Sequence, residues 1–201
     1  MQFESGHLYH IYNRGNNSQK IFFNRENYLF FLGKIKKHIL PHADIIAWCL
    51  MPTHFHLMIH VNQVHIENSE QVTLSHLLTR KRSLNDSIAI LLRSYTRAIQ
   101  KQENKTGSLF QNRTKATCLK QIDKIAPAWF QSNYGAIINT SFPEREYPQV
   151  CFNYIHGNPV KDGLTRKSSD WEFSSARDYS GLRSGKIINK ERANKFGLVY
   201  Q

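Results

Sequence analysis

Acidic side chains are scarce in this chain. Only 15 Asp and Glu stand against 27 Lys and Arg, giving a formal charge of +12 and a pI near 9.7. That imbalance favours a polyanionic partner, with nucleic acid first among them. Cysteine is scarcer still. Cys49, Cys118 and Cys151 form neither a C-x-x-C pair nor a disulfide framework, which fits a reduced, cytoplasmic setting. No apolar run approaches the roughly 20 residues that cross a bilayer. No basic amphipathic helix of membrane type is present either, so no membrane partner is expected. The opening Met1 to His7 does not read as a signal peptide. Internal repeats and low-complexity tracts are also missing. What remains is 201 residues with 40% hydrophobic and 12% aromatic content, enough for one folded domain with a real core.

Periodicity divides the chain into elements. His7 to Asn13 alternates and predicts a strand, followed by the polar turn Arg14-Gly15-Asn16-Asn17-Ser18. Asn24 is placed to cap a helix from Arg25, supported by Tyr28, Phe31, Leu32, Ile35 and Ile39 and closed by Pro41. Ala43 to Leu50 and His54 to Val61 predict two antiparallel strands joined at Met51-Pro52-Thr53. Residues 62–70 read as a loop, and Leu74 to Leu78 as the start of a helix. Asp86 to Glu103 is helical, with Ile88, Leu91, Leu92, Tyr95 and Ile99 on one face. Leu109 to Leu119 reads as extended and Ile122 to Ile138 as ambiguous. Ser141 to Pro148 is expected to loop into a short helix that stops at Asn158-Pro159. The order predicts an α+β, ferredoxin-like (split β-α-β) antiparallel sheet with helices packed on one face. Residues 1–180 are expected to form one domain. Residues 181–201 read as a polar tail with a weakly ordered end.

The most informative segment is Thr53-His54-Phe55-His56-Leu57. On a strand, Phe55 faces one way while His54 and His56 converge on the other face. Two convergent imidazoles form half of a metal site, although ten histidines in the chain make one such pair unremarkable by itself. A second segment, Phe152-Asn153-Tyr154-Ile155-His156-Gly157-Asn158-Pro159-Val160, puts Tyr154 and Asn158 four apart on one helical face. A phenol beside an amide oxygen supplies a nucleophile and a hard metal ligand. The same residues also read as a core aromatic and an ordinary helix stop, and spacing leaves both readings open. Tyr95 is the alternative nucleophile. Its +4 neighbour, Ile99, cannot bind metal, and Tyr95 sits on an apolar stripe.

Several stretches together resemble the HUH single-tyrosine transposases, above all the REP-associated tyrosine transposase branch. They are His10-Ile11-Tyr12-Asn13-Arg14-Gly15-Asn16, Ile21-Phe22-Phe23, Leu50 to Leu57, Thr106 to Arg113, Tyr154 to Lys161, and Asp170-Trp171-Glu172-Phe173-Ser174-Ser175. They span about residues 7 to 180 in the family's order. The resemblance implies a ferredoxin-like domain that nicks and rejoins single-stranded, hairpin-bearing DNA through a covalent 5′-phosphotyrosine. It assigns the nucleophile to Tyr154 and the metal ligands to His54, His56 and Asn158. Imidazoles alone would suggest zinc, whereas the resemblance implies Mg²⁺ or Mn²⁺. Two departures stand out. Residues 120–147 are longer than the family pattern and read as a possible insertion. Gly157 loosens the tyrosine helix, as a hinge for Tyr154 or as decay of an inactive copy.

Single-stranded DNA requires cationic grooves and stacking surfaces. The candidate cations are Arg14, Arg113, Lys115 and Lys161, with Lys20, Arg80, Lys81, Arg82 and Arg166 behind them. Tyr12, Phe110 and Trp171 are the candidate stacking residues. The rival readings are a domesticated DNA- or RNA-binding module without cleavage and an unrelated histidine-based metal hydrolase. The related proteins leave both a monomer and a homodimer open.

Overall fold

The computed structural model describes residues 1–67, 81–119, 129–132, 135–138 and 147–200. The chain runs β1 (Leu8–Arg14), α1 (Arg25–His38), β2 (Ala43–Met51), β3 (His54–Val61), β4 (His65–Glu67) and β5 (Lys81–Ser83). It continues with α2 (Leu84–Glu103), β6 (Lys115–Cys118), β7 (Trp129–Ser132), β8 (Gly135–Ile138), α3 (Tyr147–Lys161), α4 (Ala176–Tyr179) and α5 (Lys190–Lys195). The helix expected to begin at Leu74, and Arg80, lie outside the described residues. So does most of the possible insertion at 120–147. The expected loop at 62–70 contains β4, which pairs with β5.

The four-stranded sheet has the order β2-β3-β1-β6, and every neighbouring pair is antiparallel. This is the ferredoxin-like order expected from the pattern of elements. Helices α1 and α2 start on reciprocal caps. Asn24 accepts from the Asn27 backbone while the Asn27 side chain accepts from Asn24, and Ser83 and Asp86 do the same for α2.

Period-two alternation sorts the sheet into two faces. Ile11, Phe55, Leu57 and Ile59 join Phe31 and Ile35 of α1 and Leu91, Tyr95 and Ile99 of α2 in one core. The other face is covered as well, which the one-face expectation did not include. Met58, Cys49 and Met51 pack with Cys151, Phe152 and Ile155 of α3 and Ala193 of α5. A bulge between Ile45 and Ala47 shifts the parity of β2, so Ile45 faces the first core and Ala47 the second.

Two expectations are corrected. First, α3 does not stop at Asn158-Pro159 but continues to Lys161 with Pro159 inside it. A proline inside a helix costs about 3 kcal/mol. Phe152 and Ile155 are fully buried on the same helix, each contributing about 1.5–3 kcal/mol, which offsets that cost. Second, the C-terminal segment is not a loose tail. Ile188 bridges to Ile45, Asn189 N donates to the Ile45 carbonyl at 2.8 Å, and Arg192 pairs with Asp44 at 3.0 Å. Leu198 is buried.

Candidate active site

The second sheet face carries an aromatic and imidazole cluster. Register places Tyr12 opposite His56 and Arg14 opposite His54, so His10, Tyr12, Arg14, His54 and His56 share one face. The His54 and His56 rings stand edge to face with centroids 5.0 Å apart. Tyr154 arrives from α3, its ring 5.3 Å from His56 and 6.1 Å from His10. Asn158, one turn along α3, donates through Nδ2 to the Tyr154 carbonyl at 2.7 Å. Its amide also lies close enough to His54 and Tyr154 to influence the titration of both. Residues distant in sequence therefore meet in one place because α3 lies across β2 and β3.

The electrostatics keep the imidazoles neutral. Burial lowers His10 to about 3 and pushes His56 well below its ordinary value. Burial also lowers His54 to about 4, opposed by the Asp162 charge and helped by Arg14. Neutral imidazole is the form that binds a cation. His56 Nδ1 is held by His10 Nε2 at 2.9 Å, and His54 Nδ1 by the Thr53 hydroxyl at 3.0 Å. His56 Nε2 is buried with no hydrogen-bond partner, and so is Arg14 Nε. An orphaned ring nitrogen at a polar site calls for an explanation.

The donor set of His54, His56 and the Asn158 amide oxygen fits a divalent ion, and the orphaned His56 Nε2 would have its partner there. Among the described residues, no group of three or more His, Cys, Asp and Glu side chains is arranged for a metal. The amide is therefore essential to that fit.

Tyr154 is pushed up to about 12, mainly by burial. Nucleophilic use of its oxygen requires nearby positive charge. Lys161 Nζ lies 6.0 Å from its ring centroid, and Arg14 shares the face. Lys115 stands at the rim, its Nζ 5.7 Å from the Tyr12 ring.

Other sequence candidates lie elsewhere. Tyr95 is fully buried in the opposite core, where its hydroxyl donates to the Ile21 carbonyl at 2.7 Å. Arg113 is exposed and lines a cleft along α2. Phe110 is buried, and Trp171 donates to the Leu50 carbonyl, so both serve the fold. Lys20, Lys81 and Arg166 are exposed, and Arg82 is half-buried.

Sequence reasoning missed His10 and Asp162. Asp162 follows Asn158 by four residues, and that helical spacing was the signal for it.

No protein-family model and no curated protein matches the sequence. Among solved structures, the chain is similar to that of a REP-associated tyrosine transposase bound to a REP hairpin. The TM-score is 0.54 at 19% identity, over 94% of this chain and 92% of that one. At this identity the likeness shows a shared fold. Among the described residues, no helix is long and apolar enough to cross a membrane.

Proposed function

We propose that this protein is a metal-dependent DNA transposase or endonuclease that nicks and rejoins single-stranded, hairpin-bearing DNA through Tyr154. The observation that carries this reading is the convergence of Tyr154, Asn158, His54 and His56 on one buried sheet face, beside an orphaned His56 Nε2. The formal charge of +12 suits a polyanionic substrate. The structural neighbour's bound hairpin supports DNA as that substrate.

In the proposed reaction, the Tyr154 oxygen bonds to the scissile phosphorus and the bond to the 3′-oxygen breaks. The phenolic proton passes to solvent, and the departing strand leaves with a 3′-hydroxyl. The tyrosyl phosphodiester conserves the bond energy, so a 3′-hydroxyl can reverse the step and rejoin strands without ATP. A bound Mg²⁺ or Mn²⁺ supplies charge neutralisation for the phosphate oxygens. Arg14 and Lys161 add positive charge, which favours the phenolate over the buried phenol. Asn158 holds the Tyr154 backbone in place through its 2.7 Å bond.

A second reading is a nucleic-acid-binding module without cleavage. The elevated Tyr154 pKa of about 12 favours it, because the hydroxyl is a poor nucleophile until charge arrives. A denaturing gel separates the two readings. Protein is mixed with labelled hairpin DNA pools and Mn²⁺ or Mg²⁺, with wild type beside Tyr154→Phe, Tyr95→Phe and His54→Ala/His56→Ala. The expected result is a metal-dependent covalent band retained in Tyr95→Phe and lost in the other two variants. Tight DNA binding without a band from any pool would favour the binding module.

A further inference from the structure

On the other side of the sheet, α2 and the segment 108–114 line an open cleft of about 830 Å³. Its lining includes Arg93, Arg97 and Arg113 and, among the described residues, no Asp or Glu. All three arginines are exposed. Arg93 and Arg97 are four apart on α2, so they project from one helical face with Cβ atoms roughly 6 Å apart. The buried stripe of α2, made by Ile88, Leu91, Tyr95 and Ile99, leaves that face free. Arg113 closes the cleft from the opposite segment.

The cleft and the active site lie on the two sides of the same end of β1. Asn13 lines the cleft, while its neighbours Tyr12 and Arg14 face the histidines. Asn13 Nδ2 donates to Thr114 Oγ1 at 2.9 Å and to the Gln111 carbonyl at 3.2 Å, tying the arginine-bearing segment to β1. Two residues beyond Arg113, Lys115 opens β6 opposite Tyr12 and reaches its ring. Arg113 and Lys115 thus form a short cationic path around the sheet end from the cleft towards Tyr154.

We propose that this cleft is a second nucleic-acid contact, in which Arg93, Arg97 and Arg113 hold the phosphodiester backbone of the strand that reaches Tyr154. The inference rests on the proposed function for the identity of the polyanion. An acidic peptide would satisfy the arginines alone, but the cationic path to the tyrosine site favours a polynucleotide. Backbone contacts of this kind fix register without reading sequence, so the binding is salt-sensitive and sequence-tolerant.

The test is fluorescence anisotropy with a labelled hairpin oligonucleotide bearing single-stranded tails. EDTA is present so that no cleavage intervenes, and salt is varied between about 50 and 200 mM. R93Q/R97Q is compared with the equally charged control K34Q/K36Q on α1. The expected result is roughly tenfold weaker binding for R93Q/R97Q. The log–log salt slope should fall by about 1.4, at about 0.7 per single-strand phosphate contact. K34Q/K36Q should stay close to wild type. Equal loss in both variants, or in neither, overturns the cleft while leaving the proposed function standing. Loss of polyglutamate competition in R93Q/R97Q with oligonucleotide affinity intact assigns the cleft to an acidic peptide and overturns the inference. A wild-type protein that binds no oligonucleotide overturns both readings.

Discussion

His56 has two ring nitrogens in different surroundings. Nδ1 meets His10 Nε2 at 2.9 Å, and Nε2 is buried without a partner. Burial keeps both rings neutral at pH 7, so one N–H is shared between them and one ring must accept. For Nε2 to offer a lone pair to a cation, Nδ1 has to carry the proton and donate to His10. In the proposed metal site, His10 would then set the tautomer of His56 without touching the ion. His10→Phe is expected to weaken Mn²⁺ binding about 10–100-fold. His10→Gln, which can present a carbonyl oxygen to the same N–H, is expected to recover part of the loss. Mn²⁺ titration followed by electron paramagnetic resonance checks both, and wild-type affinity in His10→Phe would remove the role. The His54 and His56 pair was legible because strand alternation is a local signal. His10 was not, because it is the diagonal neighbour of His56 across β1 and β3, a relation that exists only once the strand register is set.

Among the elements, α3 holds the difference between local rules and tertiary context. Pro159 reads as a stop, yet the helix ends later in a Schellman motif. The Leu164 N–H bonds to the Pro159 carbonyl at 2.8 Å, and that of Gly163 bonds to Val160 at 3.0 Å. Gly163 takes a φ of +70°, the left-handed conformation that suits glycine. The first helix was legible from its Asn24 cap and apolar stripe and α2 from its stripe alone, whereas the end of α3 needed the packing of Phe152 and Ile155 against the sheet. Gly157 remains as a weak point between Tyr154 and Asn158. A Cβ there meets nothing within 4 Å, so alanine is sterically free and gains about 1 kcal/mol of helix propensity. Gly157→Ala is expected to raise the melting temperature by about 2–4 °C. If glycine lets Tyr154 move towards a phosphate, the same variant forms its DNA adduct more slowly. Calorimetry and an adduct time course measure the two effects separately. A higher melting temperature with an unchanged adduct rate would show that the loosened turn has no part in the chemistry.

At the scale of the whole molecule, the two-faced sheet was only half legible. The α1 and α2 face announced itself through helical stripes, but the other face draws on α3 and on a C-terminal segment with few apolar residues, among them Ala193 and Leu198. One consequence of covering both faces is that several histidines are buried neutral. His10 and His156 fall to about 3, and His42 is also lowered, in each case chiefly by burial. His42 lies beneath the first face, its Nδ1 donating to the Gln63 carbonyl at 3.2 Å and its Nε2 accepting from Ser87 at 2.8 Å. Unfolding exposes these rings to their ordinary value of 6.5, so below that pH the unfolded chain binds more protons than the folded one. Stability is therefore fully present above about pH 6.5 and is lost as pH falls towards the folded values. Each proton of difference contributes a slope of about 1.4 kcal/mol per pH unit. General charge repulsion acts in the same direction, because the chain already carries +12 and has ten histidines to protonate. Salt separates the two causes, since about 0.5 M screens surface repulsion but does not relieve the burial of an imidazole. Denaturant titrations at pH 7.5 and 5.0 in high salt are expected to retain a clear loss of stability at the lower pH. His42→Gln is expected to reduce that loss by removing one of the buried proton sites. Equal stabilities at the two pH values would assign the acid sensitivity to net charge alone.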